Sequence, residues 1–471
     1  MKEKKEGSYG RGEASSSDGP DNAIAHDAVF GEITSEGPNY RSVGWLGTSV
    51  LMMKTQIGLG VLSIPSIFDT LGMVPGVVLL CVIGGITTWS DFIVGTFKLR
   101  HPHVYGIDDA GELMFGWIGR EVLGAAFCLL FTFTSGSAML SISIALNALS
   151  VHATCTAVFV AVAAIIGFGF SSLRTLGRIS WLAWIGVISI VVAANERLRP
   201  VLTVTIAVSL QDRPAAAPQD AVWKSDFKIV NTPSFTQAIG AISSLVFSYA
   251  GTPAFFSIAA EMRDPHHYTR SLVLCQSVVT IVYVAVGVVV YYYCGSYVSS
   301  PALGSAGPIV KKVAYGLALP GLIVSAAVML HLASKHIFVR ILRGSKHLAA
   351  NTLVHWSTWL GCTFTISLVA YLIASGIPVF NSLISLIGAL LGTMISFQPM
   401  GCMWLYDNWS KGRQAPTLGW YLMVAWSCFV ILSGTFLTIA GTYSAIVGII
   451  DDYSKSGGSA AWSCADNSNS I

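Results

Sequence analysis

Charged side chains are scarce in this chain: 11% of its 471 residues, against about 25% in soluble domains. Hydrophobic residues make up 53% and mean hydropathy is +0.65. That composition excludes an ordinary soluble domain and implies a polytopic membrane protein. The net charge of +3 is too small, and its cations too scattered, to suit a nucleic acid. Metal spacings such as C-x-x-C are missing, and the nine cysteines are dispersed, mostly inside apolar runs. No metal, cofactor or disulfide framework is therefore expected, although Cys294 and Cys464 both suit the outer side and their pairing stays open. The chain also lacks H-E-x-x-H, G-x-S-x-G and any carboxylate pair within one apolar run, so an enzyme is not expected. The first apolar run begins only near Trp45, which leaves no sign of a cleavable signal peptide.

What is present is a series of runs near the ~20 residues needed to cross ~30 Å of hydrocarbon. Eleven candidate spans lie near 44–67, 74–97, 121–149, 155–173, 178–210, 235–260, 271–294, 313–338, 355–375, 379–403 and 418–449. They make an all-α transmembrane domain over 44–450. Before it, residues 1–43 read as a disordered cytosolic tail, too polar to bury a core. After it, 451–471 read as a short extracytosolic tail. Span five is interrupted by Asn195, Glu196, Arg197, Arg199 and Pro200. Central charges are costly in a bilayer, and removal of residues 194–200 restores one apolar run, which favours an insertion or gene-model error; the alternatives are a span that ends near Asn195 before a short reentrant or extracellular segment, and charges that serve a water-filled path.

Loop charges orient the spans. With a cytosolic N-terminus, the inner loops carry Lys98, Arg100, Arg120, Arg174, Arg178, Arg263, Arg270, Arg340, Arg343, Lys346, Lys411 and Arg413. The short outer loops at 68–73, 150–154 and 376–378 carry no lysine or arginine. This alternation obeys the positive-inside rule, with Lys311 and Lys312 as the exception.

Two spans are broken at mid-depth. One reads Thr55-Gln56-Ile57-Gly58-Leu59-Gly60 and then Pro65; the other reads Ser248-Tyr249-Ala250-Gly251-Thr252-Pro253. Hydrocarbon offers no partners to unwound backbone, which is tolerated only inside protein or along a cavity. One such break in each half of a chain points to a carrier's binding site. The breaks fall in spans one and six, so spans one to five and six to ten divide into two five-helix halves, with span eleven outside them.

The stretch Met52 to Pro65 (MMKTQIGLGVLSIP) resembles the first span of fungal neutral amino acid permeases, of the amino acid/auxin permease family within the amino acid–polyamine–organocation superfamily. Similar stretches are Asp27 to Glu32 with Gly37 to Tyr40, Phe247 to Pro265 (FSYAGTPAFFSIAAEMRDP) and His331 to Arg340 (HLASKHIFVR). The resemblance runs from about residue 27 to 450 and fails at 194–200. It implies a 5+5 inverted repeat of the sodium-coupled leucine-transporter type, and proton-driven symport of neutral aliphatic or aromatic amino acids by alternating access.

A zwitterion requires opposite polar environments close together, and a broken helix supplies both. The substrate carboxylate is expected at the N–H groups of Gly58, Leu59 and Gly60, with Thr55 beside them. The ammonium is expected near the carbonyls of Ile57 and of Ser248, Tyr249, Ala250 and Gly251. Thr252, Phe255 and Phe256 follow the second break, and Thr134, Ser135 and Ser137 lie mid-span three. No fixed charge marks the side-chain pocket, which favours neutral substrates.

For the coupling ion, intramembrane ionisable groups are the candidates: Lys54, Asp91, and the set His331, Lys335 and His336. By resemblance, His331 stands where sodium-coupled relatives place a span-eight hydroxyl, and a histidine suits a proton. Lys54 is expected to pair with a carbonyl of span five or eight. Glu261 reads as an inner gate bridging to a cation such as Arg178 or Arg340. Asp108 and Asp109 read as caps of the helix leading into span three. The alternatives are a sodium-coupled carrier, a vacuolar amino acid exporter or a channel. The plasma membrane is favoured over the vacuolar membrane, with the bilayer, protons and a neutral amino acid as partners.

Overall fold

The computed structural model describes residues 25–27, 31–33, 40–176, 179–184, 213–214, 217, 223–348, 350–377, 380–455, 462 and 464–468. Among these, eight helices are long and apolar enough to cross a membrane, nine if Trp45–Gln56 and Gly60–Leu71 are joined as one bent span. Span four is a shorter apolar helix, Thr156–Ser171. Span five is described only over its first turns, and the interruption at 194–200 lies outside the described residues. Within the leader, Ala25–Asp27 and Gly31–Ile33 pair as a small antiparallel hairpin.

The packing is reciprocal, as an inverted repeat requires. The second half of span one, Leu59–Leu71, packs on span seven (Tyr268–Cys294), and the second half of span six, Thr252–Ala260, packs on span two (Met73–Arg100); the first half of span one, Trp45–Gln56, also packs on span seven. Span three (Ile107–Ser150) and span eight (Pro308–Leu342) pack along each other. Span four and span nine (Leu353–Gly376) each pack on both. One group is thus spans one, two, six and seven, and the other is spans three, four, eight and nine. Span eleven (Leu418–Lys455) covers span six and span ten.

The two ends of the bundle differ in charge, and the cation-rich end is called inner because it is the one that the loop-charge rule expects to face the cytosol. At one end the Met73 and Val74 N–H groups donate to the carbonyls of Lys228 and Ile229, and Cys155 is disulfide-bonded to Cys464. Cys294 remains a free buried thiol, so the Cys294–Cys464 pairing is replaced by Cys155–Cys464. Lys311, an exception to the charge rule, donates to the Ser468 carbonyl at 3.2 Å and so holds the C-terminal segment to this end. The other end gathers the cations: Arg343 on Asp109 at 2.6 Å, Arg100 on Asp407 at 3.0 Å, and Arg174 on Asn351 at 3.1 Å. The helix into span three is preceded by Gly106, without a side-chain cap, so Asp108 and Asp109 are not its caps. Asp109 instead accepts from the Tyr105 N–H at 2.7 Å.

Span one bends by 46° between its halves. Pro65 lies within the continuous helix Leu59–Leu71, so the break is made by Ile57 and Gly58 alone. The interruption in span six is milder, and Phe235–Ala260 counts as one 26-residue span. Its turn keeps short-range bonds, Tyr249 to Val246 and Ala250 to Phe247, before the second half starts at Thr252 with Pro253 behind it. Span ten carries a break that the sequence reading missed: a π-helical turn at Gly388–Gly392, then an irregular Phe397 before the helix Gln398–Gln414. Gly388 allows this turn to lie against span six, since a Cβ there would stand 2.1 Å from the Ser243 carbonyl oxygen.

Candidate functional site

The two breaks touch. A Cβ on Gly60 would stand 2.6 Å from Cα of Ser248, and one on Gly251 would stand 2.5 Å from Oγ1 of Thr55. Glycine is thus required in each broken helix by the approach of the other. The Gly60 carbonyl accepts from the Ser63 hydroxyl at 2.8 Å and from the Ser248 hydroxyl at 3.3 Å. Gly58 faces span eight, where a Cβ would lie 2.6 Å from Oγ of Ser325 and 3.8 Å from Nζ of Lys54. Because the second half of span one starts at Leu59, its first-turn N–H groups have no partner within the helix.

Beside this contact lies a cavity of about 20 Å3 lined by Lys54, Thr55, Gln56, Gly60, Phe131, Thr134, Phe247, Ala250, Ser325 and Met329. That is room for about one water and too little for an amino acid. Gln56 is buried, and neither polar atom of its carboxamide has a partner among the described residues. Towards the outer end a second cavity, of about 330 Å3, lies between spans one, six, ten and eleven, with Ser66, Thr70, Gln237, Ser244, Ser385 and Ser444 in its wall.

Of the residues expected at the site, Thr55, Gly60, Thr134 and Ala250 line the central cavity. Ile57 contributes its carbonyl, which accepts from Nζ of Lys54 at 3.4 Å. The expected partner of Lys54 on span five or eight is thereby replaced by the break itself, which lies within reach of its own side chain. The Ser248 carbonyl is taken by the Tyr283 hydroxyl at 2.7 Å. Tyr249 turns away: its hydroxyl is 3.2 Å from that of Thr280, and its ring meets Tyr283 edge-on. Ser135 bonds the Phe131 carbonyl behind it at 2.7 Å. Phe255, Phe256 and Thr252 are buried, Phe255 lying against Gly251. The aromatic walls are instead Phe131 and Phe247. Phe131 lies one turn before Thr134 on the same face of span three and Phe247 just before the second break, so spacing alone was a signal for both.

The expected coupling residues fall in two places. Lys54 stands at the first break next to Ser325, which is the span-eight hydroxyl nearest that break. His331 lies further along span eight, its Nδ1 3.3 Å from the Ser171 carbonyl and its ring edge-on to Trp359. Lys335 is buried and paired with Glu261. The partner of Glu261 is therefore Lys335 rather than Arg340, which pairs with Glu121, or Arg178, which lies outside the described residues. A second oxygen of Glu261 accepts from the Leu176 N–H at 3.1 Å. Over this pair lies the end of the leader: Val43 forms a parallel bridge with Met262, and the Tyr40 ring sits 4.6 Å from the Lys335 ammonium. His336 stacks on Phe127 and stands 3.7 Å from Asp108. Together these contacts tie spans three, six and eight and the end of the leader to one another at the inner end.

Residues 41–447 match the family described as transmembrane amino acid transporter protein. A transmembrane transporter of Gibberella moniliformis is 34% identical over 435 residues, 92% of this chain and 90% of that protein. The N amino acid transport system protein of Neurospora crassa is also 34% identical over 435 residues, covering 90% and 89%. Among solved structures, a nucleobase-cation-symport-1 family transporter in a closed conformation with bromovinylhydantoin bound matches 90% of this chain and 96% of its own, with a TM-score of 0.54 at 12% identity. A sodium-coupled sialic acid symporter in a substrate-bound outward-open state matches 87% and 92%, with a TM-score of 0.51 at 12% identity. These likenesses show the sodium-coupled leucine-transporter type of fold. The chain belongs to the transmembrane amino acid transporter family, the amino acid/auxin permeases, and is a multi-pass secondary transporter of amino acids rather than an enzyme.

Proposed function

We propose that the chain takes up neutral amino acids in symport with a proton, by alternating access between the cavity towards the outer end and the closed inner end. The observation that carries the neutral specificity is the wall of the central cavity. Its one charged side chain is Lys54, already engaged by the Ile57 carbonyl, and its free hydrogen-bonding capacity is the uncharged Gln56 carboxamide. A cationic substrate side chain would meet no counter-ion among these residues and would face the Lys54 ammonium, and burial of an unpaired charge is costly.

In this reading the carboxylate takes the N–H groups of Gly58, Leu59 and Gly60, with Thr55 and Thr134 beside it. The ammonium takes carbonyls of the second break between Ser248 and Gly251. The Lys54 ammonium, set between spans one and eight next to Ser325, supplies the positive charge that a bound metal cation would otherwise bring, which supports a proton as the driving ion. His331 and Lys335 then link the state of span eight to the Glu261 gate. One charge crossing 100 mV provides ~2.3 kcal/mol and one pH unit ~1.36 kcal/mol. At ~1.4 kcal/mol per decade, the sum drives more than about two decades of accumulation.

The test is uptake of a panel of labelled amino acids into proteoliposomes, with an imposed pH gradient compared with a sodium gradient. Saturable, pH-driven uptake of aliphatic or aromatic amino acids with counterflow is expected. Uptake that follows sodium, or prefers a charged substrate, overturns the reading. Loop charges support a cytosolic N-terminus, and uptake from outside implies the plasma membrane; fluorescence of a tagged chain at the vacuolar membrane would contradict that.

A further inference from the structure

Asp91 of span two is fully buried and lies where the second half of span six and span seven both pack on that helix. One carboxyl oxygen accepts from the Gln276 side-chain amide of span seven, and the Tyr268 hydroxyl caps the residue's own backbone carbonyl at 2.8 Å. From span six, Thr252 lies beside the carboxyl, and its buried hydroxyl has no hydrogen-bond partner among the described residues. The titratable groups facing Asp91 are Tyr268 and Cys275, both on span seven. Span ten also packs on span two, but its Asp407 is held by Arg100 and His101 at the inner end. Asp69 lies in the last turn of the second half of span one, by the outer loop. Among the described residues no lysine, arginine or histidine pairs with the Asp91 carboxyl.

An ionised carboxylate so placed has an amide donor but no charge to offset its own, the least favourable state for a buried ion. Oδ1 of Asp91 and Oε1 of Gln276 likewise lack hydrogen-bond partners among the described residues. A single proton resolves both. The protonated carboxyl is neutral, and an acid and a carboxamide can then pair reciprocally, hydroxyl to amide oxygen and amide N–H to carbonyl.

We propose that Asp91 is a proton-binding site coupled to the break in span six, protonated while the inner end is closed and releasing its proton inward when that end opens. Thr252, beside the carboxyl, is the first residue of the nine-residue half-helix Thr252–Ala260, and the gate residue Glu261 follows its end. Movement of this half-helix away from span two admits water to the carboxyl, and ionisation ceases to be costly. The same half-helix opens the gate, so proton release and substrate release share one moving part.

This inference rests on the proton-coupled reading above, and the test separates the two. Full-length protein in proteoliposomes is compared with Asp91→Asn, which keeps the shape and neutrality of the protonated side chain. Labelled amino acid exchange is expected to persist, while accumulation under a one-unit pH gradient falls from about tenfold to none. Asp91→Glu keeps the pH-driven accumulation. If the unmodified protein responds to the gradient and Asp91→Asn responds equally, the inference fails and the proton-coupled reading stands. If the unmodified protein does not respond, both fail. A second measurement does not depend on the folding of Asp91→Asn: the unmodified protein should show a protonated-carboxyl stretch in its infrared spectrum that shifts in Gln276→Leu. A band that is missing or unshifted overturns the proposal.

Discussion

The Glu261 carboxylate and the Lys335 ammonium form an ion pair with neither residue reached by solvent, tying the end of span six to span eight across the inner end. Such a pair adds little net stability, because desolvation of two ions offsets their attraction, whereas removal of one partner leaves a buried lone charge and costs about 3–5 kcal/mol. Glu261→Gln or Lys335→Met alone is therefore expected to lower the melting temperature of the detergent-solubilised protein sharply. The double variant, with no charge left to strand, should recover most of the loss. A double variant as unstable as the singles would show that the two groups are not energetically coupled.

The glycine contacts between the breaks make an asymmetric expectation. At Gly60 the obstacle to a methyl group is the Ser248 backbone, at 2.6 Å; at Gly251 it is the Thr55 side chain, at 2.5 Å. Backbone in a packed core yields less readily than a side chain, and overpacking costs about 1–3 kcal/mol. Gly60→Ala should therefore abolish uptake and destabilise more than Gly251→Ala does. Thr55→Ala added to Gly251→Ala should restore melting temperature, since it removes the obstructing hydroxyl. Equal losses from the two alanines would contradict the arrangement.

The spans and both breaks are legible in the sequence because hydrocarbon leaves backbone few options: long apolar runs must be helical, and Gly or Pro inside them has to be housed. The loop charges give an expectation of sidedness because arginine and lysine favour one side. The partners of particular side chains are not. Tyr249 stands in the second break yet bonds span seven, and Ser135 neighbours Thr134 yet points into its own helix. Phe131, Ser325 and Met329 reach the cavity because the inverted repeat brings spans three and eight beside the breaks. Lys335 meets Glu261 across 74 positions and Cys155 meets Cys464 across 309, with no local motif in either case. The π-helical turn at Gly388–Gly392 hides inside an uninterrupted apolar run.

The Cys155–Cys464 disulfide gives a test of orientation as well as of stability. It joins the start of span four to the C-terminal segment, at the end of the bundle where Lys311 bonds Ser468. A cross-link over a long stretch of chain typically contributes about 2–4 kcal/mol. Cys155→Ser should lower the melting temperature, and a reductant should lower that of the unmodified protein by a similar amount while leaving the variant unchanged. Since disulfides persist on oxidising faces, a membrane-impermeant reductant should act from the non-cytosolic side alone. Reduction from the cytosolic side would reverse the assigned orientation.

Gln56 separates a substrate contact from a structural one. Its carboxamide is buried in the wall of the central cavity with neither polar atom satisfied among the described residues. A buried polar group without partners is a liability for the empty protein, so Gln56→Leu should leave the melting temperature unchanged or raise it. If the carboxamide instead meets a polar group of the amino acid in the loaded state, its loss removes a hydrogen bond of about 0.5–1.5 kcal/mol, or up to about 3 kcal/mol to a charged group. The half-saturation concentration for uptake should then rise by roughly two- to tenfold, or up to about a hundredfold where the partner is charged, at about 1.4 kcal/mol per decade. Gln56→Glu should fail more severely than Gln56→Leu, because it adds a charge beside a substrate carboxylate held at the neighbouring N–H groups. A drop in stability with unaltered half-saturation in Gln56→Leu would assign the residue to packing and move the substrate away from this wall.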